Sequence, residues 1–328
     1  LMKYDSYTVN NIIDVTKKYE AKDYLQPSIL MISNILILLG CIFALNSLKN
    51  TKFIVPMIII TGLIIARNFM VFHDLCHANY FPSNERKTDT IGINKNIGYL
   101  LDFIYCYPAN VWIKTHTSHH KVHGNIDEHD EARTLITSDE YLKQPYLLRR
   151  LYDILRHPIF FYIIAPLYVF FIRRIIDGDI IFLIKFGIFF YLIKLFTNIK
   201  TAILVFISYY IAGIFGVILF HLQHSMNEPS WSKHFTQNDK DNAELNGSSV
   251  LKIPFLLKPF TNGIEYHNVH HINPGVPSYN IKKCYEELRK KKLLHNKEYS
   301  LMEMFEGLSH TLYDSKKDKY VYHYNLYY

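Results

Sequence analysis

Apolar residues in this chain fall in long unbroken blocks separated by charged stretches, and not in the three-to-four-residue rhythm of a half-exposed helix. Residues 29–46 and 53–72 each approach the ~20 residues an α-helix needs to cross a bilayer core, and 180–197 and 202–220 do the same. One such run is compatible with a buried core helix; four predict an integral membrane protein. The links Lys49–Lys52 and Asn198–Thr201 are short, so the spans pair into two hairpins. Two further apolar runs are expected beside the membrane and not through it. Residues 98–111 are too short, carry Pro108 and lead to Trp112, an interfacial residue type, which predicts a re-entrant or interfacial helix. Residues 158–172 contain Pro158 and Pro166 and end in Arg173-Arg174, which predicts a helix lying along the membrane. An even number of crossings then returns the chain to the side from which it started.

The polar segments complete this layout. Lys3, Lys17, Lys18 and Lys22 precede the first span and place 1–28 in the cytoplasm, and parity adds 73–179 and 221–328 to the same side. Loop signals stand at Asn227-Glu228-Pro229-Ser230 and Asn246-Gly247-Ser248-Ser249, and 282–294 reads as an amphipathic surface helix. No short apolar core with a small-residue cleavage site occurs in the first 28 residues, so no removable signal peptide is expected. The expected class is an all-α integral membrane protein, a single domain over 1–328. Four transmembrane helices in two hairpins, with interfacial helices, carry a cytoplasmic cap.

Composition narrows the chemistry. The net charge of +7 is spread over loops and tail without a dense basic arm, which fits a membrane surface and gives nucleic-acid binding no support. The 4 cysteines lack C-x-x-C pairs, so neither a disulfide framework nor a thiolate zinc site is expected. Nothing resembles G-x-S-x-G, a P-loop or G-x-G-x-x-G, so hydrolase, NTPase and nicotinamide readings lack support.

The histidines are different. Of the 17 present, His116, His119, His120 and again His267, His270, His271 repeat an H-x-x-H-H spacing, while His73 and His77 stand at i and i+4. On a helix each set shares one face. Neutral imidazole is a good ligand for zinc, copper, iron and nickel, and these eight with His224, just past a span, exceed the needs of one ion. A dinuclear centre is expected. His123 and His129 lie off the box spacing and read as outer-layer or surface residues, and His221 is a weaker tenth candidate. His157, His234, His295, His310 and His323 read as surface residues. A ligating imidazole usually donates its other N–H to a carboxylate; Asp74, inside the first box, is the leading candidate, ahead of Asp127, Glu131 and Glu265.

Taken together, these stretches resemble the membrane fatty acid desaturases. His73-Asp74-Leu75-Cys76-His77 is similar to that family's first box. Trp112 to His120 is similar to the second and His267 to His271 to the third. Arg133-Thr134-Leu135, Glu140-Tyr141, Phe220 to His224, Asn246 to Ser249, Phe260 to Asn262 and Pro274 to Tyr279 resemble its acyl-lipid branch, of the delta-12/omega-6 type. The resemblance implies two iron ions held by His73, His77, His116, His119, His120, His224, His267, His270 and His271. It also implies O2 as co-substrate and a cis double bond as product, with no catalytic residue beyond the metal centre. The partners implied are a fatty acyl lipid, the bilayer of the endoplasmic reticulum or cytoplasmic membrane, and a separate electron donor, a ferredoxin or a cytochrome b5-type protein. No His-Pro-Gly-Gly sequence occurs, so a fused b5 module is not expected. An acyl hydroxylase, conjugase or ketolase of the same architecture is the nearest alternative. A non-enzymatic membrane metal-binding protein is a more distant one, because beyond Arg67, Lys185 and Lys194 the spans carry little charge that could define an ion path.

Overall fold

A computed structural model describes residues 6–83, 92–130, 133–226 and 231–323. Glu131 and the 227–230 turn lie outside them. Helix α1 (Ser6–Lys17) precedes the hairpin of α2 (Leu25–Ser47) and α3 (Ile54–Cys76). A dip follows, formed by α4 (Ile93–Tyr105) and α5 (Ala109–Val122). The short α6 (Ser138–Lys143) and the amphipathic α7 (Tyr146–Leu155) lead to the apolar α8 (Pro158–Leu167) and α9 (Arg173–Ile176). Then come α10 (Ile180–Phe196) and α11 (Ile199–Ser225). The C-terminal part contains α12 (Gln237–Asn246), α13 (Lys258–Thr261), α14 (His267–Ile272), α15 (Ser278–Lys290) and α16 (Leu301–Gly307).

Helices α2, α3 and α11 pack through one apolar seam that includes Leu38, Leu45, Ile58, Ile65, Val205 and Tyr209. Their outward faces keep Ile29, Leu36, Phe43, Val55 and Ile203 exposed, the arrangement of helices whose solvent is hydrocarbon. The seam is tight where α3 meets α11. A Cβ on Gly62 would lie 2.9 Å from both the Ser208 carbonyl oxygen and Ile211 Cγ2. Gly62→Leu is therefore expected to cost about 1–3 kcal/mol by overpacking, read as a lower thermal midpoint in detergent. An unchanged midpoint contradicts the packing.

Among the described residues, four helices are long and apolar enough to cross a membrane: Leu25–Ser47, Thr51–Cys76, Pro158–Ile176 and Ile199–Ser225. They contain the expected runs 29–46, 53–72 and 202–220. The third differs from expectation, because 158–172 belongs to a continuous 19-residue helix while Ile180–Phe196 has 17. Its two prolines are compatible with a long helix. Pro158 occupies the first turn, where no N–H is needed, and a π-helical turn over Tyr168–Ile172 follows Pro166. The Phe161 ring lies 6.0 Å from that of His221 and Phe171 5.1 Å from Phe206, so α8 and α9 run antiparallel to α11. Helix α10 continues in the same direction, with Phe190 5.8 Å from Phe206 and the following Asn198 bonded to Asn46 at 2.7 Å.

The 98–111 run is split at Cys106–Pro108, with Cys106 in the left-handed region at φ 58°. Tyr105 packs on Phe72 and Trp112 on Phe69, so α4 descends beside α3 and α5 climbs back. This dip delivers the second histidine box to the level of the first. Lys185 forms an ion pair with Asp102 at 2.5 Å, and Arg67 donates to the Asn34 side chain at 2.8 Å, so these two charges on apolar helices have polar partners.

Among the described residues two small sheets accompany the helices. Strands β1 (Ile136–Thr137), β4 (Leu312–Asp314) and β5 (Lys319–Val321) form one, and β2 (Val250–Leu251) pairs in parallel with β3 (Glu298–Tyr299). The amphipathic helix expected at 282–294 is α15, whose Ile281, Cys284 and Leu288 pack on Ile12 and Val15 of α1. All four cysteines are free and buried.

Candidate metal centre

Four segments bring the histidines together. The last turn of α3 supplies His73 and His77, α5 supplies His116, His119 and His120, α11 supplies His224 near its end, and α14 supplies His267, His270 and His271. Helical spacing puts each set on one face, and the dip of α4 and α5 turns that of the second box toward the first.

Two groups result. Nitrogens of His73, His77, His116 and His270 lie within 4.8 Å of one another, as do those of His119, His224 and His271. His120 joins the first group, with Nε2 at 2.9 Å from His270 Nε2 and 3.3 Å from His116 Nε2. His267 joins the second through His224, Nε2 to Nε2 at 3.2 Å. His116 Nε2 is also 3.0 Å from His73 Nε2. One ring nitrogen has either one hydrogen or one lone pair, so it cannot satisfy two such neighbours at once. A shared cation takes several converging lone pairs together, and the donor set suits a late first-row metal. His119 Nε2, His224 Nδ1, His267 Nδ1 and both nitrogens of His271 are buried with no hydrogen-bond partner, which points the same way.

Carboxylates hold the rings from behind. Asp74, fully buried, accepts from His73 Nδ1 at 3.0 Å and from the Ser278 N–H at 2.6 Å. Asp130 accepts from His119 Nδ1 at 2.8 Å. Asp130 sits in a loop with no periodic relation to a box, so its contact with His119 has no signature in the sequence pattern. Asp127 instead accepts the His234 N–H, and Glu265 is buried with Oε2 facing no donor.

The remaining histidines sort themselves. His123 is buried against the second group, its ring 4.7 Å from that of His271 and 4.9 Å from that of His224, and with His119 and Asp130 it forms a third close cluster. Its position four residues after His119 was the available signal. His221 bonds to Thr134 and the Gly307 carbonyl, and His129 is exposed. His323 corrects the surface reading, since it is buried 3.5 Å from Asp153. His310 bonds to the Ser225 carbonyl at 2.7 Å.

Burial, reinforced by neighbouring imidazoles, pushes His116, His120, His267 and His271 well below the usual histidine range, and burial takes His123 down to about 3. The rings are neutral at pH 7, with lone pairs available to metal. A folded value below the unfolded ~6.5 means that the unfolded chain takes up protons first on acidification. Stability of the metal-stripped protein is therefore complete above pH ~6.5 and lost below it, by about 1.4 kcal/mol per pH unit for each such ring. Denaturant midpoints at pH 7.5 and pH 5 test this; equal midpoints contradict it.

The first group opens onto a cavity of about 440 Å³ that also touches His267 and is walled mainly by apolar side chains, among them Ile65, Phe69, Met70 and Phe170. Trp112 lines it while stacking on His116 at 4.7 Å. A histidine cluster able to hold metal thus faces a space suited to an alkyl chain.

Comparison with known proteins agrees. The fatty acid desaturase family model matches residues 51–301. The chain belongs to the fatty acid desaturase family. This desaturase is 27% identical over 245 residues to a fatty acid desaturase of Bacillus subtilis (strain 168), covering 70% of this chain and 66% of that protein. It is also 25% identical over 308 residues to the sn-1 oleoyl-lipid 12-desaturase of Picosynechococcus sp., covering 88% and 84%. Membership makes the chain an enzyme of the oxidoreductase class, and its long apolar helices are those of a membrane desaturase.

Proposed function

We propose that this desaturase removes two hydrogens from a lipid-linked fatty acyl chain at a pair of iron ions held by His73, His77, His116, His120 and His270 on one side and by His119, His224, His267 and His271 on the other. The observation that carries the reading is the convergence of these imidazoles, with unpartnered buried nitrogens, at the wall of an apolar cavity. When bound, the iron pair supplies O2-dependent oxidation with two external electrons, giving a cis double bond. The chain's own residues do the rest. Asp74 and Asp130 fix ring orientation, the cavity wall excludes water, and Trp112 and Phe69 limit where the alkyl chain lies beside His73 and His116.

The histidine end faces the cytoplasm in this reading, supported by the lysines before α2. A separate ferredoxin or b5-type donor would reach it there. Expression in a desaturase-poor host, with iron and a donor supplied, is expected to yield new double bonds in the membrane lipids. Unchanged lipids would sink the proposal.

A further inference from the structure

The residues after α11 are expected in the cytoplasm, yet one stretch among them turns back along α3. The Leu251 N–H donates to the Glu265 carbonyl at 3.0 Å and Val250 bridges to Tyr266, so 252–264 is a loop pinched at its neck. Its far end reaches well down the membrane helices. There the Arg67 guanidinium donates to the Pro259 carbonyl, and Phe260 packs on the apolar seam of α2, α3 and α11. At a rise of ~1.5 Å per residue Arg67 lies about 14 Å from the end of α3 at Cys76. The loop thus runs beside the apolar length of a helix whose outward face meets hydrocarbon.

The outer side of this loop is bare. Phe255 is 84% and Leu256 79% exposed, although Ile253 and Leu257 on either side pack inward with Met70 and Leu222. Lys252 and Lys258 flank the pair and are exposed. Helix α16 stands next to it. Strand β2 leads into the loop and pairs with β3, which leads into α16, and the Lys252 N–H donates to the Tyr299 carbonyl at 2.8 Å. Met304 of α16 packs in the same cluster as Ile253, while Met302 and Phe305, 71% and 62% exposed, share the face turned away from it. Just beyond α16 the Leu308 carbonyl accepts from the Tyr162 hydroxyl of α8 at 3.1 Å. Loop and helix therefore form one apolar band between α3 and α8, both parts of helices able to cross a membrane. Large apolar side chains grouped in this way mark an interaction surface, and lysines flanking an apolar tip fit hydrocarbon below and headgroups above.

We propose that the loop tip at Phe255 and Leu256 and the Met302–Phe305 face of α16 are inserted, without crossing, in the bilayer leaflet next to the histidine centre. The occupant of this surface is lipid hydrocarbon. Phe260, Thr261 and Ile264 of the same loop line the apolar cavity, so the loop meets lipid on one side and walls the cavity on the other. Its insertion sets the cavity at the height of the bilayer's own acyl chains. Insertion of the band needs no desaturation chemistry and is measured without it.

The test uses the full-length chain reconstituted in phospholipid vesicles. All four native cysteines are buried, so a nitroxide thiol reagent labels a single cysteine introduced at an exposed position. Accessibility of the label to O2, which concentrates in hydrocarbon, is compared with accessibility to a water-soluble nickel chelate. Leu36→Cys, on the outward face of α2, is the lipid reference, and Lys290→Cys, on the exposed side of α15, is the water reference. Phe255→Cys, Leu256→Cys, Met302→Cys and Phe305→Cys are each expected to give an O2-to-nickel ratio several-fold above that of Lys290→Cys and comparable with that of Leu36→Cys. A ratio equal to that of Lys290→Cys in either element places it in water and overturns the proposal. Low accessibility to both reagents means that protein, such as a second copy of this chain, covers the surface, and overturns it as well. Should one substitution in an element not fold, the other in the same element reads the same surface.

Discussion

His270→Ala is expected to abolish double-bond formation and to empty the first histidine group of metal. His270 Nε2 lies 2.9 Å from His120 Nε2, and its ring centroid is 4.5 Å from that of His73, 4.7 Å from that of His77 and 5.8 Å from that of His116, on which it stacks, so it meets all four partners. In the proposed centre its loss removes a ligand outright. The effect should exceed the roughly 10–100-fold that removing an outer hydrogen-bond partner costs. Iron content and lipid products measured on the same preparation test this, with the exposed His295→Ala as a variant expected to match wild type. Retention of two iron ions and normal products by His270→Ala would remove the first group from the account.

Asp74→Asn should come next in size. Asp74 is buried and accepts from two donors, the His73 ring and the Ser278 N–H at the start of α15. An amide of the same shape offers one oxygen and one NH2, so one of those donors is left facing another donor. The expected costs are about 1–3 kcal/mol of stability, for the buried group left unsatisfied, and roughly 10–100-fold in metal affinity through the freed His73 ring. Chelator competition and thermal unfolding measure the two separately. Wild-type affinity in Asp74→Asn would mean that the orientation of His73 is set elsewhere.

Much of the site could be read before the fold was known, because helical spacing encodes it locally. His116, His119 and His120 need only one helix to share a face, and the same holds for His267, His270 and His271. What joins the boxes is not local. The dip at Cys106–Pro108 brings α5 up beside α3, and nothing in the hydropathy of 98–111 distinguishes a split helix from a single interfacial one. Asp130 reaches His119 from an irregular loop, and His323 finds Asp153 across a long stretch of chain, so neither leaves a periodic trace. His123 did leave one, at i+4 from His119, but it fell outside the repeated box pattern. The membrane runs were legible as runs. Their number of pieces was not, because Pro158 and Pro166 looked like breaks, whereas one occupies a helix start and the other is followed by a π turn.

Helix α15 ties the third box to α1 and, through Ser278, to Asp74, so α15 and α3 hold the first box jointly. Variants that loosen α15 are for that reason expected to disturb metal binding before they disturb the membrane bundle.

The most direct measurement of the central claim is the mass of the acyl product formed by the purified, iron-loaded enzyme supplied with O2, an electron donor and a saturated or monounsaturated acyl lipid. The product should be lighter than the substrate by two hydrogens, with the new double bond at one position, and should vanish when iron is removed. A product heavier by one oxygen atom, or an unaltered lipid under conditions where iron and electrons are both delivered, would contradict the account.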